Sequence, residues 1–433
     1  MSHATPENTT PEAGTVPTAS GQLPDGLHSG TQLPDPFPWP IFVRWLLPGV
    51  VGAILLGAIA LYFNARAQHQ IIYLTRAGNL GVVYADGDGA RELEYNGLRG
   101  RYQGIPQWSP RGDRFSIATS GSGDAAVLVA SPQRIQPDRI PVGNVSEVVL
   151  PGQAWSASGA YLAAIKREAP DRASLALIDA QRLATVPVTL TVDPQVRPTW
   201  HPISDTLLIT SQTDGVTPTL QIVDKDGRIN SFAPQDGQVG RSSASWSPDG
   251  TTIAYVGRSD MSDQTSSIWL VQQDGNQPRA VVQEGVNNTP IWSPNGDLLF
   301  FTRLITQTQQ YELHRLDLKT MQDSSVGNTI SRLADLETDP RSVLDWSPDR
   351  RELFFQSASS PGAPVSVNVG RYDGSNAHPV YTEADSTSTS VRWSPTGRAL
   401  LISDSSDGML LQWLHEERTP TRFPNGLFPT WQP

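Results

Sequence analysis

The chain has 433 residues, of which 38% are hydrophobic and 17% are charged, enough to bury a sizeable core. This length indicates either several domains or one large repeat array. The formal net charge is −11 and the arginines do not cluster, which argues against a nucleic-acid-binding surface. Because the chain has no cysteine, disulfides, thiolate catalysis and cysteine-ligated metal sites are excluded.

Residues 1–40 form a tail that we expect to be disordered. They include eight prolines and four acidic residues but no lysine or arginine. A segment of this composition cannot bury enough apolar surface to offset the entropy lost on ordering.

Residues 41–66 are predicted to form a transmembrane helix. The nineteen residues from Trp45 to Phe63 contain no charge, and an arginine flanks each end. As a helix they can cross a hydrocarbon core of about 30 Å. A buried core helix and a cleaved signal peptide are the alternatives, since Ala65-Arg66-Ala67 resembles a cleavage site. The apolar stretch is longer than a signal peptide requires and lacks a basic start, so we favour an anchor. The flanking charges do not decide its orientation.

A short phrase, Trp-Ser-Pro-x-Gly followed by an apolar strand, recurs seven times after this segment. Successive tryptophans are 45 to 54 residues apart. A period in the forties with short strands predicts a β-propeller in which each repeat forms one blade. The phrases begin at Trp108, Trp155, Trp200, Trp246, Trp292, Trp346 and Trp393.

Each part of the phrase has a predicted structural role. The tryptophan ends one strand and packs between neighbouring blades, while proline and glycine shape the turn that follows. Ser204 and Arg350 replace the glycine in two repeats, so we expect those turns to differ in type or length. Residues 268–282 continue with a strand, an Asp-Gly turn and another strand, which brings the blade to four strands.

The two ends of the array predict how the ring closes. Residues 70–96 contain three predicted strands with no preceding tryptophan phrase, and the chain ends with Trp431-Gln432-Pro433, the start of an eighth phrase. The last strand therefore supplies the missing strand of the first blade and hides two sheet edges. We predict an all-β, eight-bladed propeller over residues 70–433, with seven blades as the alternative.

The repeated phrase resembles the repeat of TolB-like propellers, also called PD40 or WD40-like repeats. The resemblance extends over residues 70–433, although no tryptophan is followed by the aspartate of true WD40 repeats. It implies a propeller that works through protein contacts in the bacterial cell envelope, outside the cytoplasm.

No catalytic motif is found. The chain lacks a Gly-x-Ser-x-Gly elbow, and its seven histidines have no metal-ligand spacing, so we predict no catalytic residue, metal or cofactor. Asp86-Gly87-Asp88-Gly89 is interpreted as a hairpin turn rather than a calcium loop. The stretch Arg111–Arg114 is interpreted as a solvated turn.

The predicted function is a membrane-anchored module or scaffold that binds a protein or other ligand at the cell envelope, with no nucleic acid. A protein is the expected partner, and no binding residue can be assigned. One alternative is a glycan-active hydrolase or lyase, which requires carboxylates or a histidine that converge on the funnel. The other is a sensor domain on the cytoplasmic side.

Overall fold

The computed structural model describes most of residues 70–433. The predicted tail 1–40 and transmembrane segment 41–66 lie outside the described residues. Within the described part, no helix has the length and apolarity needed to cross a membrane. The description covers residues 70–433 except 96–97, 99–100, 121–124, 135, 144, 146, 194–196, 212–216, 235, 261–264, 284, 309, 331–342, 359–362, 383–388, 405–407, 417 and 424–425.

Thirty-three strands among the described residues form eight antiparallel sheets, which confirms the eight-bladed propeller. The first strand ends at the tryptophan in seven blades, whereas in the remaining blade it ends at Val149, six residues before Trp155. These first strands are β4 (Tyr102–Trp108), β8 (Glu147–Val149), β13 (Thr199–Trp200), β17 (Gly240–Trp246), β21 (Asn287–Trp292), β25 (Leu344–Trp346), β29 (Thr389–Trp393) and β33 (Gly426–Trp431).

The next strands follow in order outward through each sheet. The second strands are β1 (Gln70–Thr75), β5 (Phe115–Thr119), β9 (Tyr161–Ala169), β14 (Leu207–Ser211), β18 (Thr252–Arg258), β22 (Leu298–Ile305), β26 (Glu352–Ser357) and β30 (Ala399–Asp404). The third strands are β2 (Leu80–Tyr84), β6 (Ala126–Ala130), β10 (Arg172–Asp179), β15 (Thr219–Val223), β19 (Ser267–Gln272), β23 (Gln310–Asp317), β27 (Ser366–Arg371) and β31 (Gly408–Trp413).

The outer strands are mostly short. They are β3 (Arg91–Leu93), β7 (Asp138–Pro141), β11 (Ala184–Val186), β12 (Thr191–Val192), β16 (Ile229–Phe232), β20 (Arg279–Val282), β24 (Gln322–Ile330), β28 (His378–Thr382) and β32 (Thr421–Phe423). Both β11 and β12 pair with β10, so this blade has five strands rather than the predicted four. We number the blades from 1, which contains β1 to β3 and β33, to 8, which contains β29 to β32.

Blade 1 closes the ring as the sequence predicts. Strand β33 pairs antiparallel with β1, with Ile71 opposite Trp431, so the last strand completes the first sheet. First strands of neighbouring blades contact one another at several seams, including β33 with β4 and β29 with β33. The first strands therefore lie innermost, around the central channel of the propeller.

The hydrophobic core lies between the blades. The described buried residues form eight clusters, each shared by two neighbouring blades. The cluster between blades 8 and 1 joins Leu401 to Ile71 and Trp431. Because a sheet cannot bury both its faces alone, each blade depends on its two neighbours.

The tryptophans also bond neighbouring blades together. In five of the eight blades the indole N–H donates to the backbone carbonyl of the residue that precedes the tryptophan of the preceding blade, at 2.9–3.3 Å. Trp346 donates instead to Tyr372 of its own blade. The five pairs are Trp108 with Thr430, Trp155 with Gln107, Trp200 with Ala154, Trp292 with Ser245 and Trp393 with Asp345.

The turns after the tryptophans have one common length. In all seven internal repeats the N–H of the residue after tryptophan donates to the carbonyl five residues later, at 2.7–3.0 Å. The five glycines of the phrase have left-handed φ values of 66–74°. We call the end of the ring that carries these turns the turn face, and the other end the opposite face.

The two repeats without glycine behave differently from each other. Arg350 takes the same left-handed conformation, with φ 59°, and its N–H makes the same bond to Ser347 as the glycines make. The prediction of a different turn at Arg350 is therefore wrong. The turn at Ser204 has no left-handed residue, and there the ring nitrogen Nδ1 of His201 accepts from the N–H of Ser204 at 3.0 Å.

The indole bond gives a first testable prediction. Trp200→Phe removes the 2.9 Å bond to the carbonyl of Ala154, which keeps the N–H of Ala163 as its second donor, so the loss should be about 0.5–1.5 kcal/mol beyond the loss of packing. Trp246→Phe is the matched control, since the Trp246 indole nitrogen is buried with no hydrogen-bond partner among the described residues. Urea unfolding of both variants measures the difference, and equal losses would contradict the role of the bond.

A second prediction concerns backbone strain at Arg350. Since a left-handed conformation costs a residue with a side chain roughly 1–2 kcal/mol, Arg350→Gly should raise the free energy of unfolding by up to about 1 kcal/mol. Arg351→Gly, at the next position and without left-handed φ, should lower it slightly, because glycine adds unfolded-state entropy. Thermal unfolding compares the two variants. If both were less stable than the wild type, the backbone at Arg350 would not be strained.

Candidate functional site

The innermost strands border the channel with mostly neutral side chains. Their described residues include two carboxylates, Glu147 and Asp345, and two arginines, Arg241 and Arg392. Glu147 lies 3.5 Å from Arg167 of the next strand, and Arg241 is bound by Asp236. The other positions are serine, threonine, asparagine, glutamine, glycine, proline or apolar residues. This surface suits neutral or apolar groups of a ligand.

Three innermost strands carry a bulge with a left-handed residue. The pairing register shifts in β4, β17 and β33, and the residues there are Gly104, Ser243 and Phe428, with φ of 74°, 46° and 50°. An aromatic residue in this conformation is rare and costs about 1–3 kcal/mol. The Phe428 ring is nevertheless 38% exposed, and its N–H donates to Ser403 at 3.2 Å. Strain combined with exposure marks this position as a candidate contact residue.

A buried ionic cluster lies in the seam between blades 4 and 5. The Asp236 side chain is fully buried, and Arg241 and the hydroxyl of Tyr255 both donate to it. The Arg241 guanidinium also donates to the carbonyl of Pro234 at 3.0 Å. Burial disfavours the charged form of Asp236, but the hydrogen bonds from Arg241 and Tyr255 outweigh burial and lower its pKa. Burial and the bond to Asp236 raise the pKa of Tyr255.

A second polar cluster runs across blade 6. Arg303 donates to Asn287 at 3.0 Å and to Asp323 at 2.7 Å. His314 Nδ1 lies 2.8 Å from Asp323, and its Nε2 lies 3.3 Å from Glu312. Burial opposes the charged form of Asp323, but the bonds from His314 and Arg303 outweigh it and lower its pKa. Since these charges satisfy one another, the cluster fixes the geometry of the blade.

This cluster does not converge on the channel. Asn287 is on the innermost strand, whereas Arg303, His314 and Asp323 are on the second, third and outer strands of blade 6. Within the described residues, no group of three or more histidine or acidic side chains is arranged to hold a metal ion.

The histidines that the sequence analysis set aside occupy distinct places. His201 replaces the serine of the blade 4 phrase and lies edge-on against Trp246, with 4.8 Å between ring centroids. His314 stacks on Phe301 at 5.4 Å. His415 lies 3.0 Å from Glu352 of blade 7. Because His201 stands where the repeat has serine, the sequence could have identified it as unusual. No local pattern indicated the partners of His314.

Two other sequence interpretations have different outcomes. Asp86 to Gly89 form the turn between β2 and β3, with left-handed Gly87 and Gly89, which confirms the hairpin. The interpretation of Arg114 as solvated is wrong. Its guanidinium donates to the carbonyls of Ala180 and Gly159 at 2.8 and 2.9 Å and lies over the Trp155 ring, so it clamps blade 2 to blade 3.

Comparison with known proteins supports the propeller family that the repeats resemble. Residues 216–419, just under half of the chain, match the TolB beta propeller domain. An uncharacterized protein of Agrobacterium fabrum is 27% identical over 165 residues, which are 35% of this chain and 50% of that protein. The chain thus matches about half the length of this curated relative.

Solved structures share the fold at low sequence identity. The dihydro-heme d1 dehydrogenase NirN in complex with DHE has a TM-score of 0.54 and 14% identity, over 84% of this chain and 74% of that one. An oligogalacturonate lyase of Vibrio parahaemolyticus has a TM-score of 0.50 and 12% identity, over 81% of this chain and 98% of that one. These likenesses establish the fold alone. The match to a TolB-like propeller supports the prediction of a binding or scaffold module.

The buried Asp236 cluster gives a third prediction. Asp236→Asn leaves Arg241 buried without its counter-charge and should cost about 3–5 kcal/mol, whereas Tyr255→Phe removes one hydrogen bond and should cost about 1–2 kcal/mol. The folded-state pKa of Asp236 is lowered, so its charge stabilises the fold above the unfolded-state pKa of about 3.9 and this stability is lost on acidification.

Unfolding measured from pH 7 down to pH 3 tests both parts of this prediction. The difference between wild type and Asp236→Asn should be constant above about pH 5 and should shrink below about pH 4. A difference that does not change with pH would show that the carboxylate charge is not the source of the stability.

Proposed function

We propose that the chain is a membrane-anchored propeller that binds a protein partner at the cell envelope, outside the cytoplasm. The observation that carries this proposal is Phe428, an exposed aromatic side chain held in a strained conformation on an innermost strand. Aromatic side chains supply large contact area at low entropic cost, and they are enriched in protein interfaces. The uncharged segment from Trp45 to Phe63 supports the anchor.

The alternative of a funnel-sited hydrolase or lyase has less support. It requires carboxylates or a histidine that converge on the channel. The described innermost strands contain only Glu147 and Asp345 as carboxylates, and Glu147 is paired with Arg167. The His314 cluster lies mainly on outer parts of blade 6. A neutral channel wall favours binding over acid–base chemistry.

The fourth prediction tests the binding role of Phe428. A photo-crosslinking residue at position 428 should capture a protein partner in cells, and the same residue at Asn230, exposed on the outer strand β16, should not. Phe428→Gly should abolish partner capture by a tagged chain. It should also leave the propeller as stable as before or more stable by about 1 kcal/mol, because glycine tolerates the left-handed φ. Equal crosslinking at both positions would contradict the proposal.

The location is tested separately. A tag placed after Pro433 should be removed by protease from cells whose outer layers have been stripped to leave the cytoplasmic membrane intact. Protection of the tag until the membrane is lysed would place the propeller in the cytoplasm, as the sensor alternative requires.

A further inference from the structure

Exposed apolar side chains concentrate on the turn face. Among the described residues six large hydrophobic side chains are exposed, and two of these are Val239 and Phe428. The other four lie in or next to turns of the turn face, and they are Leu183, Ile203, Ile229 and Met321. Ile203 is 71% exposed, the highest value of the six, and it occupies the variable position of the blade 4 phrase.

Three of these side chains belong to adjacent blades. Leu183 lies in the β10–β11 turn of blade 3, while Ile203 and Ile229 lie in blade 4, and we call these three residues the blade 3–4 patch. Blades 3 and 4 are in contact near Ile203 and Ile229. The Ser158 hydroxyl donates to Asp205 at 2.6 Å, and Gly227 lies so close to the Pro187 carbonyl that a Cβ there would be 2.3 Å from it.

The charges around the blade 3–4 patch are layered. The side chains of Arg182, Lys225 and Arg228 are 85%, 55% and 77% exposed. The aspartates that pair with Arg182 and Arg228 are only 10% and 32% exposed, so these two cations are the more exposed partners, whereas Lys225 and its partner Asp226 are about equally exposed. Long cationic side chains around exposed aliphatic groups match a bilayer surface, where phosphate groups lie outside the acyl chains.

The chain also enters the propeller at the turn face. Gln70 begins β1, its carbonyl accepts from the N–H of Gln432 at 2.8 Å, and the next residue pairs with Trp431. Six residues, 64–69, separate Phe63 from Gln70 in the sequence. Fully extended, they span at most about 20 Å. An anchor that ends at Phe63 therefore keeps the turn face close to the membrane.

We propose that the turn face rests on the membrane and that the blade 3–4 patch inserts into the boundary between lipid headgroups and acyl chains. This inference depends on the membrane anchor of the proposed function. It leaves the opposite face and the strand that carries Phe428 directed away from the bilayer, where a partner can reach them. The occupant of the blade 3–4 patch is thus lipid rather than protein.

Because the chain has no cysteine, single cysteines can report its orientation, which is the fifth prediction. The full chain carrying Ile203→Cys or Val239→Cys is labelled with an environment-sensitive fluorophore and reconstituted into phosphatidylcholine vesicles. Some vesicles also contain a lipid with a nitroxide quencher below the headgroup. We expect a blue-shifted emission that the nitroxide quenches at position 203. We expect neither effect at position 239, which is 49% exposed and precedes β17 on the opposite face.

Flotation of the same vesicles after carbonate washing separates the possible failures. If the chain floats with the vesicles but quenching is equal at the two positions, the anchor stands and the orientation is wrong. If the chain does not float, the anchor is wrong, and the orientation fails with it. Leu183→Cys is the second reporter, so that a local effect of labelling at position 203 cannot decide the result alone.

Discussion

The propeller depends on one contact made between neighbouring blades: a tryptophan at the end of each innermost strand that packs on, and in most blades bonds to, the preceding blade. A four-stranded sheet has two apolar faces, and here neither is covered by its own blade. The indole ring fills the seam, and in five blades its N–H donates to a backbone carbonyl of the preceding blade. The same residue therefore supplies hydrophobic area and fixes the spacing between blades.

This contact explains why the turns are so uniform. When the tryptophan is fixed in the seam, the chain has to reverse directly above it, and the next turn has to fit against the previous one. Three turn glycines lie against the proline of the preceding turn, so that a Cβ at each would be in van der Waals contact with that proline. Where the phrase changes, a neighbour compensates. His201 takes the place of serine and packs against Gly250 of the next turn, so the ring keeps its spacing without the usual residues.

The periodic parts of the fold were predictable from the sequence, and the irregular parts were not. The number of blades, the strand order and the closure by the last strand follow from the repeat, because each blade contains one copy of it. The fifth strand of blade 3 breaks the repeat, so no periodic pattern could indicate it. Arg350 keeps the left-handed conformation of the repeat although arginine disfavours it. The cluster of Arg303, His314 and Asp323 joins strands whose side chains meet only after pairing. Phe428 was visible in the sequence only as a residue of the last strand, because neither its exposure nor its φ has a local signature.

Charged groups and backbone strain are found in different parts of the propeller. Charged groups between blades 4 and 5 and across blade 6 are satisfied by protein partners, so they stabilise the fold and leave little unpaired charge for chemistry. Backbone strain, by contrast, is found at Phe428 on an innermost strand. The residue is exposed, and glycine at this position would remove the strain. A fold retains such a residue only if the surrounding pairing enforces it. Pairing of β33 with β1 closes the ring, so the same strand that completes the propeller also holds its candidate contact residue in place.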